Sequence, residues 1–473
     1  MDGDATHHWK VLAQQHRGLT MRLAEFLAAL EPADVPDKTR EILRKALVDA
    51  LGCGLHGLGL PWTKKITAFS KSQGGPREAV LWGTGERVTA LNAALATGCA
   101  IHAFDFDDHS RAKIHPAAVV VPVIVALAEK CKADGPRMLA AMAAGFEVMN
   151  RVSLAANPSP ARMRGWHLTG TTGTFAAAAA ACVLMRLDAS TTASALGLAG
   201  TQSAGVWAFT ADGAMSKRLH PGKAAQAGIF AAMLAADGFE GPRFILEAED
   251  GSFLHTMSDV PRPGEITRDL GTEWRADGAC FKPHACCGSN HGCVDAAIAL
   301  MHDNDLKVAD IDRVIAGVGD VVIRQTGFEY QADTVLNAQM SLQYDVAIGM
   351  IDRQALLEQF TPARIKDEAV FALAKRVEIV SDAELDAIYP EIYGGRVTFV
   401  LKDGRTLSTC VKYSKGMPEN PMDLDDIVRK YRSLANSIVS SEQAERVLAA
   451  GLGLFEAGSA TALIAALEGI TVQ

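Results

Sequence analysis

The sequence predicts a mainly α protein, with a large all-helical domain and a smaller α+β domain carrying a short antiparallel sheet. Alanine and leucine dominate the 473 residues while tyrosine and tryptophan number only 6 each, a bias towards helix formers. Apolar residues recur at three- and four-residue spacing from about residue 20 to 260. Beyond about residue 265, valine, isoleucine and threonine gather in short runs instead. A single hydrophobic core stops growing below this chain length, so two domains are expected.

The opening stretch, MDGDATHHWKVLAQQH, has acids where a secretory signal carries basic residues, and no apolar segment follows. A cytoplasmic location is expected. In DKTREILRKALVDALGCGL, Ile42, Leu43, Ala46, Leu47, Ala50 and Leu51 fall on one helical face, and Asp37 is placed to cap its start. TALNAALATGCAIHAF, PRMLAAMAAGFEVMNRV, GTFAAAAAACVLMRL and GKAAQAGIFAAMLAADG read the same way. Their small residues let helix backbones approach closely, as in a buried bundle. AAVVVPVIVALA is too short to span a bilayer and contains Pro122, so no membrane partner is expected. Residues 1–264 thus form the first part of the helical domain. Within 265–415, DIDRVIAGVGDVVIRQ, RVEIVSD, GRVTFVLKDGR and TLSTCVKYS read as strands, and Asp403-Gly404 marks a hairpin. AQMSLQYDVAIGMID and DEAVFALAKR between them read as helices. After KGMPENPM, helical sequence over 416–473 returns to the first domain, which makes the α+β part an insertion.

A net charge of −9 leaves no basic face for a phosphate backbone, so nucleic acid is not an expected partner. Nine cysteines, an odd number behind no signal, point to reduced thiols.

Four segments concentrate ionisable groups. FDFDDHSRAKIHPAAVVVP holds Asp105, Asp107, Asp108, His109, Arg111, Lys113 and His115. Pro116 biases His115 away from helical geometry, into a turn between helices. Imidazole is the usual proton carrier near neutral pH, and Asp105 or Asp108 would fix its tautomer. The plainer reading is a solvated loop. In RGWHLTGTTGT, His167 beside Trp166 reads as a packed residue more readily than a catalyst, and the turn lacks phosphate-loop spacing. MSKRLHPGKAAQAG puts Lys217, Arg218, His220 and Lys223 at a helix start, where cations oppose the dipole and favour an anion. CFKPHACCGSNHGCVDAA invites zinc through His284, Cys286, Cys287, His291 and Cys293, but it has no Cys-x-x-Cys pair. Buried thiols under a loop, with Lys282 facing a cavity, fit better, and no metal is expected. Gln343 and Tyr344 precede a helical pattern, where a tyrosine is most often core.

Taken together, FDFDDHSRAKIHPA, GWHLTGTTG, MSKRLHPGKAAQAG, KPHACCGSNHG, AQMSLQYDVA and GMPENPM make the chain resemble the MmgE/PrpD family over residues 20 to 460. That family includes 2-methylcitrate dehydratases, cis-aconitate decarboxylases and iminodisuccinate epimerases. The resemblance implies a cofactor-independent homodimeric enzyme of small di- or tricarboxylates, with its site between a helical domain and an α+β lid. Carried onto this chain, it implies Asp105, His115, His167 and Lys217 as catalytic residues and His109, Lys282 and Tyr344 as substrate-binding residues. KPHACCG looks closer to fungal cis-aconitate decarboxylases, which carry a similar Ala-Cys-Cys-Gly run, than to the dehydratases. Two positions depart from the family pattern: His109, where Thr-His often follows the paired acids, and Gly288, where many members place arginine. Other readings are an epimerase by two-base proton exchange, a zinc hydrolase and a non-catalytic carboxylate binder.

Overall fold

Small residues decide how the helices of the first part pack. In the computed structural model, which describes residues 18–389 and 392–472, this part is built around α1 (Asp37–Leu58), α2 (Ala90–Ile101), α3 (Ala117–Ala128), α4 (Gly135–Ala155), α5 (Leu168–Met185), α6 (Ala189–Thr201) and α7 (Ser216–Ala236). The acidic N-terminal stretch read for a signal lies outside the described residues. Helix α5 is the hub, touching α3, α4, α6 and α7, and its alanine run is wholly buried. A helix enclosed on every side needs no polar face. It is the one described helix long and apolar enough to cross a membrane, and 94% of its apolar window is buried inside the protein.

Helices α2 and α7 meet at glycine. A Cβ on Gly98 would lie 2.6 Å from Gly222 Cα, and one on Gly222 would lie 2.2 Å from the Leu95 carbonyl oxygen. Only glycine allows this approach. It presses the start of α7, with Lys217, against the chain that leaves α2.

The sheet-bearing region follows the expected runs closely. Two short pairs precede it: β1 (Ala79–Leu81) with β2 (Glu86–Val88), a hairpin inside sequence expected to be helical, and β3 (His109–Ser110) with β4 (Ala279–Cys280). The main sheet has the order β6 (Val377–Ser381), β5 (Ile311–Val318), β7 (Gly395–Leu401), β8 (Thr406–Val411). Strands β7 and β8 form the hairpin, with Gly404 at φ 88° in the turn. The sheet is antiparallel along β5, β7 and β8, but β6 runs parallel to β5. The chain reaches β6 through intervening helices rather than a tight turn, and such a crossover delivers a parallel strand. VVIRQ, expected to extend β5, is instead helical (Asp320–Thr326). Helix α8 (His291–Asp303) covers β7 and β8, and α9 (Leu342–Asp352) packs against α8.

Near the C-terminus, α10 (Leu424–Ala435) lies along α1, with Gly52 against Tyr431. Its Lys430 reaches Asp49 at 2.7 Å and donates to the Phe106 carbonyl at 2.6 Å. This holds the 104–110 segment from below.

Candidate active site

The segment after α2 is no solvated loop. Asp105, Asp107, Asp108, His109 and Ser110 are all buried. Asp105 adopts the left-handed conformation, φ 56°, which aspartate tolerates better than most residues. Its Oδ1 accepts from Lys217 Nζ at 2.6 Å and from Lys282 Nζ at 3.1 Å. Lys282 also donates to the Asp105 carbonyl at 2.6 Å. Lys217 arrives on α7, and Lys282 arrives through the β3–β4 pairing of His109 with Cys280. Burial alone would raise the Asp105 carboxyl, but the two ammonium groups hold it well below the usual carboxylate range. Burial lowers Lys217, with Asp105 opposing, because an ammonium without water is penalised.

A second carboxylate organises two imidazoles. His102 Nδ1 lies 2.9 Å from both Asp107 oxygens, and His115 Nδ1 lies 3.3 Å from Oδ2. The His115 Nε2 on the far side of the ring is 3.9 Å from Asp105 Oδ1. The rings of His102 and His115 are 4.5 Å apart, edge to face. So Asp107 occupies the place beside His115 Nδ1 for which the sequence offered Asp105 or Asp108. Asp108 turns away and accepts from the Ala117 N–H at 3.0 Å, at the start of α3. Burial and repulsion from Asp107 and Asp49 push its carboxyl well up.

Opposite lie His167, at the start of α5, and His220, their Nδ1 atoms 2.7 Å apart. Trp207 and Phe209 pack edge-on against His167. Burial, then His220 and Lys217, lowers His167 well below the usual imidazole value. His109 is lowered likewise, by burial and then Lys282, and stacks on Tyr393 with ring centres 6.2 Å apart. The two departures from the family pattern touch each other: a Cβ on Gly288 would sit 2.9 Å from His109 Nε2. Glycine at 288 makes room for imidazole at 109.

One cleft is lined by Asp105, His109, His115, His167, Lys217 and Lys282. Six of the seven residues named from sequence therefore share it. Tyr344 does not. Its hydroxyl donates to the Gln359 carbonyl, and its ring is enclosed by Tyr330 and Phe360. The correction has a simple cause: α9 faces the core of the sheet-bearing region, and among the described residues the tyrosine at the cleft is Tyr393, two residues before β7. Tyr344→Phe is accordingly expected to leave turnover within about twofold while lowering the unfolding midpoint, since one buried hydrogen bond contributes about 1 kcal/mol; paired activity and thermal melts check it.

His102 lies in TALNAALATGCAIHAF, whose apolar pattern reads as plain helix and gives a single histidine no signal. Arg162, Trp207 and Tyr393 offered no local pattern at all. The cysteine run does not gather. Among the described residues, no group of three or more ligand-type side chains within reach of one another includes a cysteine. Burial raises Cys280 to about 12 and pushes Cys286, Cys287 and Cys293 upward. The one close group among the described residues, His102, Asp105, Asp107 and His115, already has the ammonium groups of Lys217 and Lys282 against Asp105 as counter-charge.

Acid sensitivity follows from the buried imidazoles. Burial pulls His56, His102 and His220 down to about 4. An unfolded imidazole titrates near 6.5, so between about 6.5 and 4 the unfolded chain binds more protons. Stability is expected to fall as pH drops through that window, with Asp105 and Asp107 adding their loss only below about 4. Thermal melts from pH 7.5 to 4.5 test this; a flat profile contradicts it.

Comparison with known proteins gives a consistent result. Residues 21–265 match the MmgE/PrpD N-terminal domain and residues 284–454 the MmgE/PrpD C-terminal domain. A cis-aconitate decarboxylase-like protein (oryM) of Aspergillus oryzae is 31% identical over 472 residues, covering 95% of this chain and 97% of that one. A cis-aconitate decarboxylase of Aspergillus terreus is 29% identical, with 92% and 93% covered. The cis-aconitate decarboxylase of Mus musculus is 25% identical, with 97% and 95% covered.

Proposed function

The chain belongs to the MmgE/PrpD family, and from that premise we propose a cofactor-independent lyase of small di- or tricarboxylates, acting as a cis-aconitate-type decarboxylase or a 2-methylcitrate-type dehydratase. The observation that carries this is the meeting of Lys217 and Lys282 on Asp105 Oδ1, with His115 Nε2 3.9 Å away. Two buried ammonium groups form a site for a carboxylate, and an imidazole beside them can move a proton.

In a decarboxylation, the bond from carbon to the leaving carboxylate breaks and carbon dioxide departs. The electron pair stays on carbon, delocalised through the neighbouring double bond towards a carboxylate held by Lys217 and Lys282. His115 then gives that carbon a proton. Asp107 lies 3.3 Å from Nδ1 on one side of the ring, leaving Nε2 on the other for the transfer. His167, lowered by its surroundings, donates or accepts a hydrogen bond as a neutral ring. In a dehydration, His115 as a neutral ring removes a proton next to the carboxylate, the carbon–oxygen bond breaks, and the departing hydroxyl takes that proton back from His115 to leave as water. We divide the chain at about 264 and 415 and read the sheet-bearing part as a lid that excludes water.

A homodimer, placed in the cytoplasm, completes the proposal. Val206, Met215, Leu219 and Phe230, on or just before α7, are exposed apolar residues that a second copy would cover. Sedimentation is expected to give a dimer near twice 50.2 kDa.

Incubation with cis-aconitate, 2-methylcitrate and iminodisuccinate in heavy water, followed by NMR, tests the reaction. Loss of carbon dioxide with one solvent deuterium in the product marks the decarboxylase, and loss of water marks the dehydratase. The presence of both His115 and His167 on the cleft favours an epimerase as the second reading. Deuterium exchange with neither loss would establish it. No change in any of the three acids would defeat the enzymatic reading for these substrates.

A further inference from the structure

Two cations at the same cleft lack an anionic partner among the described residues. Lys113 lies in the turn after β3 in the left-handed conformation, φ 59°. Its Nζ is buried, makes no hydrogen bond and rests 4.1 Å from the centre of the Tyr389 ring. Arg162, on the short helix Pro158–Met163, stacks 3.8 Å over Trp207, and its Nε is also buried and unpartnered. Their neighbours differ. Lys217 and Lys282 share Asp105, Arg218 donates to the Ala103 carbonyl, and Arg111 pairs with Glu419.

The groups facing Lys113 are Arg162, the Cys287 thiol and the Tyr389 ring, with His109, His115 and Tyr393 elsewhere on the lining. The carboxylate on this lining, Asp105, is taken by Lys217 and Lys282, and among the described residues no carboxylate pairs with Lys113. Burial and then repulsion from Arg162 bring the Lys113 ammonium down to about 7. Burial lowers Arg162 to about 10. A buried cation with no counter-charge is unfavourable, and an arriving anion relieves that cost.

We propose that Lys113 and Arg162 form a second carboxylate subsite, which holds the substrate carboxylate remote from the one bound by Lys217 and Lys282. The inference rests on the polycarboxylate reading above and deepens it. It makes the preferred substrate at least a dicarboxylate and makes charge number and chain length the selected properties. The remote carboxylate favours the charged form of Lys113, so binding above neutral pH takes up a proton.

Tricarballylate, a saturated tricarboxylate with no double bond to react, serves as the probe, with butyrate as the monocarboxylate control. Both are titrated calorimetrically into the full-length protein, its Lys113→Met and Arg162→Gln variants, and Lys113→Arg. Each →Met or →Gln change is expected to weaken tricarballylate about tenfold or more and to leave butyrate within about twofold, as for loss of a charge-assisted hydrogen bond. Tricarballylate affinity for the unaltered protein is expected to fall as pH rises from 6 to 8. Proton uptake at pH 8, read in buffers of different ionisation enthalpy, should vanish in Lys113→Arg while affinity is kept. Equal weakening of both acids, or unchanged tricarballylate binding in a folded Arg162→Gln variant, overturns the subsite. Tricarballylate binding with these signatures but without turnover of any acid upholds the subsite and sinks the lyase reading. Turnover with unaltered binding in the variants does the reverse.

Discussion

His115→Ala is expected to lower turnover of the acid identified by NMR by about 10²–10⁴-fold, the usual contribution of a positioned proton-transfer group. His115 is partly accessible at the cleft, and its ring contacts are polar, with Asp107 at 3.3 Å and Asp105 at 3.9 Å. Truncation therefore removes little packing, and the melting temperature should shift by only a few degrees. The KM should change less than kcat, because the carboxylates are held by other residues. His115→Gln keeps a polar side chain beside Asp107 without a proton to exchange, and should be nearly as slow as alanine. A variant with full turnover would remove His115 from the chemistry.

Asp105→Asn is expected to cost both activity and about 3–5 kcal/mol of stability, the usual penalty for breaking a buried ion pair from one side. The substitution keeps the shape but leaves Lys217 and Lys282 as buried cations without compensation. Urea unfolding at pH 7 measures the loss. Lys217→Met in the Asp105→Asn background should restore part of it, because one orphaned charge is gone, and the double-mutant cycle then gives a large coupling. Additive effects, or an Asp105→Asn protein as stable as the parent, would mean that the carboxylate is not the charge that holds the cleft together.

The elements that followed from local pattern were those whose periodicity is set by one face meeting a core. The β7–β8 hairpin is of this kind: alternating burial from Gly395 to Leu401 ends at Asp403-Gly404, where only a left-handed glycine continues the turn. Helix α1 is another, with Leu43, Ala46, Leu47, Ala50 and Leu51 all buried. The parallel strand β6 was not legible, because strand direction depends on how the intervening chain crosses the sheet. Tyr344 shows the corresponding limit for the site. Its residue type and helix were readable, but the side of α9 that faces the cleft was not.

Residue type, order and spacing along the chain determined by themselves that this protein is mainly helical, that its second part carries a small sheet, and that ionisable side chains gather in a few short segments. Only the tertiary structure decided that Asp107 rather than Asp108 stands beside His115, that one carboxylate joins Lys217 to Lys282, and that Lys113 and Arg162 stand without a counter-charge among the described residues. Periodicity reports which face is apolar over a few turns. The partner of a buried charge is chosen instead by where distant segments cross, here through the α2–α7 glycine contact and the β3–β4 bridge.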